Sequence, residues 1–473
     1  MMPNSPSSSA ATNGARFPRI KSGNPQADEI LGGGFPSHSI NILMGPPGTG
    51  KTIFAERLLF HNVGDDGRPQ VYLTTLSEPL SKVVSYAQRF DFFDSDKLGG
   101  EIQYEDLGAA LSQRGPTVLI EWLKETITTR SPKIIVIDSF RAIHDLAMST
   151  DEMRRFISDV AGLLSAYDVT AFLLGEYTQD DIRRYPEFAV ADAIVEFARQ
   201  PLSTRDERYL RVLKLRGSEY REGQHAFRIT ASGLELYPRL VAPRVPEKYE
   251  SLTERLSTGV PGLDDMLGGG LFAGSTTLVV GMTGAGKTTM ALQFALEGAK
   301  HGEPTLYVNF QENPAQLRRA ISNLGSDPEE ARTNGLSVLY ASPVELQIDS
   351  IVVEIFEAIK SGSIKRLVID AVGDLAAAAS DAQRLHDYLY SLIQHFAVRG
   401  VTTLLTLESG EGFTGTASPQ DQRFSYMSDN LIYLAWSTQH VGRRAIRIVK
   451  MRGSDHKREL REFEIGSNGA RVS

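Results

Sequence analysis

Residues 45–52 read Gly45-Pro46-Pro47-Gly48-Thr49-Gly50-Lys51-Thr52, and residues 281–288 read Gly281-Met282-Thr283-Gly284-Ala285-Gly286-Lys287-Thr288. Both fit G-x-x-x-x-G-K-[ST]. Each follows a short apolar run and opens a segment of helical pattern, the context that a phosphate-binding loop requires. The glycines let the backbone curl so that successive N–H groups face a phosphate, and the helix N-terminus adds positive potential. On this reading Gly45, Gly48, Thr49, Gly50, Lys51 and Thr52 bind ATP in one site. Gly281, Thr283, Gly284, Ala285, Gly286, Lys287, Thr288 and Thr289 bind it in a second. The lysines meet the β- and γ-phosphate oxygens, and the hydroxyls of Thr52 and Thr288 are ligands for Mg²⁺.

Working outward from the two loops, the surrounding sequence repeats. Lys51 and Lys287 stand 236 positions apart, and Leu31-Gly32-Gly33-Gly34 returns at that offset as Leu267-Gly268-Gly269-Gly270. Lys214-Leu215-Arg216-Gly217-Ser218 returns as Lys450-Met451-Arg452-Gly453-Ser454. A period this long marks duplicated domains rather than a solenoid. The aperiodic, charged and proline-containing stretch 241–250 reads as the boundary. The expected division is a disordered tail over residues 1–16, a first domain over 17–240, a linker over 241–251 and a second domain over 252–473.

Each copy alternates short β-rich runs with helix-length segments. The runs are 39–44, 70–75, 133–137 and 170–174 in the first, and 276–280, 305–310, 366–369 and 401–405 in the second. The pattern predicts an α/β fold: two tandem P-loop domains, each a mainly parallel sheet flanked by helices, with a small antiparallel addition at one edge. Asp138 and Asp370 each end a buried apolar run, where a Mg²⁺-dependent nucleotidase carries its acidic metal ligand.

Composition narrows the class. The chain has 473 residues, a formal net charge of −8 and no cysteine. Disulfides, thiolate zinc sites and iron–sulfur clusters are therefore excluded, and an acidic balance is not that of a duplex-binding protein. The Ser- and Pro-rich start lacks a signal-peptide pattern, and no apolar run is long enough to span a membrane. A cytoplasmic protein is expected. The nine histidines show no paired ligand spacing, and Trp122 and Trp436 are expected to be packing residues.

From about residue 17 to near the C-terminus the chain resembles the KaiC family, the RecA-like tandem ATPases of the circadian-clock type. The resemblance rests on an ordered, repeated set: the Leu-Gly-Gly-Gly segment, the P-loop, an acidic strand end before proline, Asp138-Ser139, and the Lys-[Leu/Met]-Arg-Gly-Ser segments. It implies RecA-like domains, ATP and Mg²⁺ as cofactors, and a pair of adjacent glutamates after the second strand as catalytic base. Here the second copy reads Gln311-Glu312 and the first reads Leu76-Ser77, with Glu78 displaced by one position. Slow turnover is expected in both sites, slower in the first. A second reading of Glu78 and Glu312, that they cap helices starting near Pro79 and Pro314, stands beside the catalytic one.

The resemblance further implies that Lys214, Arg216, Lys450 and Arg452 act across a subunit boundary on a neighbour's γ-phosphate, hence a homo-oligomeric ring, a hexamer, with a signalling protein as partner. It also raises Ser/Thr autophosphorylation. The family's paired acceptors fall at Ser425-Tyr426, where only Ser425 matches, and the proposed kinase base falls at Gln311. Clock members carry a longer tail beyond the last strands, so a KaiC-like signalling ATPase is expected rather than an oscillator. Two other classes remain: an ATP-gated assembly scaffold, and a RecA-like recombinase. The loops from Glu176 and Glu408, which would face a central pore, lack the basic and aromatic run that single-stranded nucleic acid requires. Nucleic acid is not an expected partner.

Overall fold

The computed structural model describes residues 18–64, 67–76, 79–146, 149–201, 205–243, 253–343, 346–378, 382–409, 426–437 and 442–473. The chain forms two compact units, Met1–Arg239 and Leu240–Ser473.

The first unit is built on a nine-stranded sheet of β1 (Ile40–Met44), β2 (Gln70–Thr74), β3 (Ile102–Asp106), β4 (Ile134–Asp138), β5 (Thr170–Gly175), β6 (Ala193–Pro201), β7 (Asp206–Leu215), β8 (His225–Thr230) and β9 (Gly233–Tyr237). Their spatial order is β3-β2-β4-β5-β1-β6-β7-β8-β9. The six from β3 to β6 run parallel, and β7, β8 and β9 continue the sheet antiparallel. The second unit repeats the plan with β10 (Thr276–Gly281), β11 (Thr305–Asn309), β12 (Leu336–Tyr340), β13 (Arg366–Asp370), β14 (Thr402–Glu408), β15 (Asn430–Trp436), β16 (Arg444–Met451), β17 (Arg461–Gly466) and β18 (Gly469–Val472). Its order, β12-β11-β13-β14-β10-β15-β16-β17-β18, is the same. The predicted fold class is what the chain adopts.

The sequence pattern explains the layers. Along β4, Ile134 and Val136 enter one core and Ile135 and Ile137 the other. A strand apolar on both sides must be covered on both faces, which is the condition of a parallel sheet with crossover helices. Helix α1 (Lys51–His61) covers one face of the first sheet, and α2 (Thr117–Arg130) and α3 (Thr150–Ala166) cover the other. In the second unit α4 (Lys287–Lys300) takes the first role, while α5 (Ile348–Gly362) and α6 (Ala382–Val398) take the second. Helix α5 buries Ile348, Ile351, Val352, Ile355 and Ile359, the i, i+3, i+4 rhythm of one helical stripe.

Strands β3 and β12 are absent from the runs read in the sequence. Both lie at a sheet edge and mix polar with apolar residues, so only Ile102 and Leu336 among them are buried. An edge strand needs no continuous apolar run.

Candidate active site: two phosphate cradles

The C-terminal ends of the parallel strands converge on the two glycine loops. Gly45 ends its strand against the carbonyl oxygen of Phe197 on β6, and Gly281 does the same against Leu434 on β15. A Cβ at either position would collide with that oxygen, so a side chain there would push the loop off the sheet. Gly50 and Gly286 adopt φ of 95° and 103° as N-caps of α1 and α4, turning the chain into each helix. Lys51 Nζ donates to the carbonyls of Gly45 and Pro46 at 2.8 and 2.9 Å, and Lys287 Nζ to those of Gly281 and Met282 at 2.9 Å each. Thr49 Oγ1 closes its loop on the Pro46 carbonyl at 2.8 Å, and Ala285 N closes the other on Met282 O at 3.1 Å.

Burial lowers the ammonium pKa of Lys51, opposed by Asp138 and Glu176. Burial likewise lowers that of Lys287, opposed by Glu408 and Asp370. Two of these four acids, Glu176 and Glu408, were read in the sequence only as the starts of pore-facing loops. Strand register places them alike: Gly281 pairs with Glu408, and Met44 pairs with Gly175, so Glu176 follows beside Gly45. Glu408 also accepts a hydrogen bond from Thr283 in the loop. The available signal was an acid at the end of the same strand in both copies.

The strand-end aspartates face the loops. Asp138 Oδ2 accepts from Thr52 Oγ1 at 2.9 Å and from Tyr72 OH at 2.6 Å. Asp370 accepts from Tyr307 OH at 2.8 Å and from Thr406. Among the described residues Thr288 makes no such bond to Asp370, so the hydroxyl–carboxylate pairing of the first site has no counterpart in the second. Burial, then the neighbouring aspartate, pushes the Tyr72 and Tyr307 phenols well above their usual pKa. They therefore remain donors that fix the carboxylate. Sequence reasoning passed over both, although a tyrosine two residues into the second strand recurs in each copy.

Glu312 lies just beyond β11. Its Oε2 is buried without a hydrogen-bond partner among the described residues, and burial followed by the charge of Asp370 raises its pKa. The helix Pro314–Asn323 is capped by Asn313, which forms a capping box with Gln316. The capping alternative therefore does not hold for Glu312. Gln311 is tied through Nε2 to both carboxylate oxygens of Asp374 at 3.1 Å. Glu78 and Ser425 lie outside the described residues; Leu76, in the first copy's glutamate position, is exposed.

Lys214, Arg216, Lys450 and Arg452 do not join the loops of their own units. Lys214 pairs with Ile194, and Ile194 with Ile42, three residues before Gly45 and about 10 Å down the strand. Lys450 sits likewise beside Leu431, which pairs with Leu278. Lys214 Nζ reaches the Phe188 and Ala189 carbonyls at 3.3 and 3.4 Å, and Arg216 pairs with Asp192 at 3.3 Å. Lys450 Nζ donates to Ser428 O at 2.6 Å, and Arg452 donates to Tyr426 O at 3.2 Å and pairs with Asp429 at 3.6 Å. Burial and the adjacent arginine lower the pKa of both lysines, against Asp192 and Asp429 respectively.

No group of three or more His, Cys, Asp or Glu among the described residues could hold a metal ion alone. The donors do suit Mg²⁺, which takes one or two protein oxygens and completes its shell with water and substrate phosphate. No described helix is long and apolar enough to cross a membrane.

Known proteins match this arrangement along most of its length. The family described as "ATPase: KaiC" matches residues 20–241 and again 256–473. The circadian clock oscillator protein KaiC of Picosynechococcus sp. is 29% identical over 94% of this chain and 87% of its own. That of Acaryochloris marina is also 29% identical, over 94% and 86%. That of Prochlorococcus marinus (strain MIT 9313) is 27% identical over 98% and 95%. With both cradles carrying the family's pattern on the same twice-built sheet, the chain belongs to the KaiC family of ATPases.

Proposed function

We propose that each unit binds ATP with Mg²⁺ at its glycine loop, and that the second unit hydrolyses it slowly with Glu312 as general base. The observation that carries this is the buried, unpartnered Oε2 of Glu312 beside Asp370. A base needs a lone pair free for the proton of water, and a raised pKa brings it nearer to neutral. The residues divide the work. Backbone N–H groups of 281–289 and Lys287 hold the phosphates, and Thr288 and Asp370 hold the ion. Tyr307 and Thr406 fix the aspartate, and Glu312 takes the proton. Bound Mg²⁺ supplies charge neutralisation at the phosphate oxygens.

Gln311 is an amide engaged by Asp374 and cannot serve as a base, which favours water over the Ser425 hydroxyl as the phosphoryl acceptor. In the first unit Thr52, Asp138 and Lys51 offer the same cradle, but Leu76 and Ser77 occupy the glutamate positions. That favours ATP there as an assembly ligand with little turnover, with Glu78 as its weaker base. The two Lys–Arg pairs lie too far from their own loops to serve them. They serve the loops of neighbouring copies in a homo-oligomeric ring, a hexamer as in the resemblance, working in the cytosol in a regulatory role with a signalling protein.

ATP binding and phosphate release by the intact chain, by Lys51→Ala and by Lys287→Ala test this. Lys287→Ala should remove most of the phosphate release, and Lys51→Ala should mainly weaken assembly. Undiminished release in Lys287→Ala would refute the assignment of turnover to the second unit.

A further inference from the structure

The Leu-Gly-Gly-Gly segment and the Gly-Ser that follows each Lys–Arg pair recur in both units, and in each unit they meet in space. In the second unit the two-residue strands Arg255–Leu256 and Leu271–Phe272 pair antiparallel, and the short helix Leu263–Met266 and the Leu-Gly-Gly-Gly segment lie between them in the chain. In the first unit Arg19–Ile20 and Phe35–Pro36 pair in the same way, with the helix Pro25–Ile30 between them. From each small strand an arginine bridges the two segments. Arg255 Nη1 donates to the carbonyls of Leu267 and Gly270 at 2.9 and 2.8 Å, and its Nη2 donates to Ser454 Oγ at 2.5 Å. Its guanidinium carbon stands 4.0 Å from the centroid of the Phe272 ring. Arg19 Nη1 donates to Gly34 O at 2.9 Å, and its Nη2 donates to Ser218 Oγ.

The junction is more than one bond wide. The Lys457 N–H donates to Met266 O at 3.0 Å, and the Arg221 N–H donates to Ile30 O at 2.8 Å. Lys457 also pairs with Asp265 at 2.5 Å, and Arg221 with Glu29 at 2.6 Å. Gly32 and Gly268, at φ of 62° and 68°, leave room for the carbonyls of Glu219 and Asp455, which a Cβ would strike or crowd. Between this seat and the main sheet stands the turn that carries the Lys–Arg pair. Arg452 N donates to Asp429 O at 3.1 Å, and Arg216 N to Asp192 O at 2.9 Å. Two residues further on, Ser454 and Ser218 are fastened to the bridging arginines. The backbone of the turn is thus held on both sides, while the Arg452 and Arg216 side chains are each 56% exposed.

We infer that Arg255 and Arg19 are positioning residues that, through Ser454 and Ser218, aim the Lys–Arg pairs at the phosphates of a neighbouring copy. The inference rests on the reading of those pairs as serving a neighbour's loop. A cation that stabilises charge on a transferring phosphoryl group must be in place before the reaction, and a misplacement of about 1 Å costs about 10²-fold in rate. Long side chains on a free turn lack that order, and a turn fastened at both ends supplies it. A guanidinium suits the task because its donors point in fixed directions and reach two segments at once.

Phosphate release by mixtures of full-length chains tests this at the second site. Arg255→Ala should slow release by up to about 10²-fold with ATP affinity retained. Ser454→Ala, which leaves Arg255 on Leu267 and Gly270, should slow it less. Mixed with Lys287→Ala chains, either variant should release phosphate faster than the mean of the two alone, because its intact loop then meets a well-aimed Lys–Arg pair. Mixed with Arg452→Ala chains it should gain nothing, since neither chain supplies a working pair. A merely structural lesion in the variant's own loop gives the reverse pattern. That reverse pattern, or full release by Ser454→Ala, overturns the inference while leaving the Lys–Arg reading standing. If thermal melting shows that Arg255→Ala does not fold, Ser454→Ala carries the comparison. Absence of gain between Lys287→Ala and Arg452→Ala chains removes the Lys–Arg reading, and this inference with it.

Discussion

At the scale of single residues, Glu312 carries the sharpest expectation. Its buried carboxylate is held nearer to neutral pH than an ordinary glutamate by desolvation and then by Asp370. A base works only when deprotonated, so activity is present above this raised pKa and falls as pH drops through it. The acid limb of the pH–rate profile should therefore follow the deprotonation of Glu312, displaced upward from that of an unperturbed glutamate. Glu312→Gln should lower phosphate release by about 10²- to 10⁴-fold while sparing ATP affinity. An unchanged rate, or a profile whose acid limb survives the substitution, would exclude Glu312 as the base. As a candidate base this residue could be singled out in the sequence because its copy keeps an acid in the family position. Tyr307 and Glu408 could not, since nothing in a linear reading shows that a phenol and a carboxylate from other strands meet at the loop.

At the scale of elements, the geometry of Glu312 depends on the helix that follows it. Asn313 accepts from the N–H groups of Ala315 and Gln316, and Gln316 returns a bond to the Asn313 N–H. Asn309 accepts from the N–H groups of Gln311 and Glu312, shaping the turn between strand and helix. Asn313→Ala should cost about 1 kcal/mol of stability and slow phosphate release, because the turn that aims Glu312 loses its anchor. Asn313→Asp, which keeps the acceptor, should restore both in thermal melts and rate assays. The helix-capping role was visible in the sequence as a possibility, but it fell to the wrong residue. The choice between Glu312 and Asn313 depends on which side chain turns back over the first helical N–H groups, and adjacent polar residues do not reveal that.

At the scale of the whole molecule, the Lys–Arg pairs make a prediction that a lone chain cannot satisfy. Lys450 and Arg452 lie partway down the sheet from their own loop. If they serve a neighbour, chains deficient in different halves of one site should complement each other. A mixture of Lys287→Ala chains with Arg452→Ala chains should release phosphate faster than the mean of the two alone. Some neighbouring pairs then join an intact loop to an intact arginine. A mixture no faster than the mean of its parts would place the arginine outside the reaction.

The sequence by itself determined the duplicated α/β plan, both phosphate loops and both strand-end aspartates. These depend on local pattern: glycine where the backbone must curl, lysine at a helix start, and apolar runs of strand length repeated at a fixed offset. The tertiary structure alone decided what converges on the loops. Glu176, Glu408, Tyr72 and Tyr307 come from other strands of the sheet, brought there by crossover connections and register. It also decided that Lys214 and Lys450 stand apart from their own phosphate sites, because antiparallel pairing carries the end of β7 and of β16 back toward the start of its parallel partner.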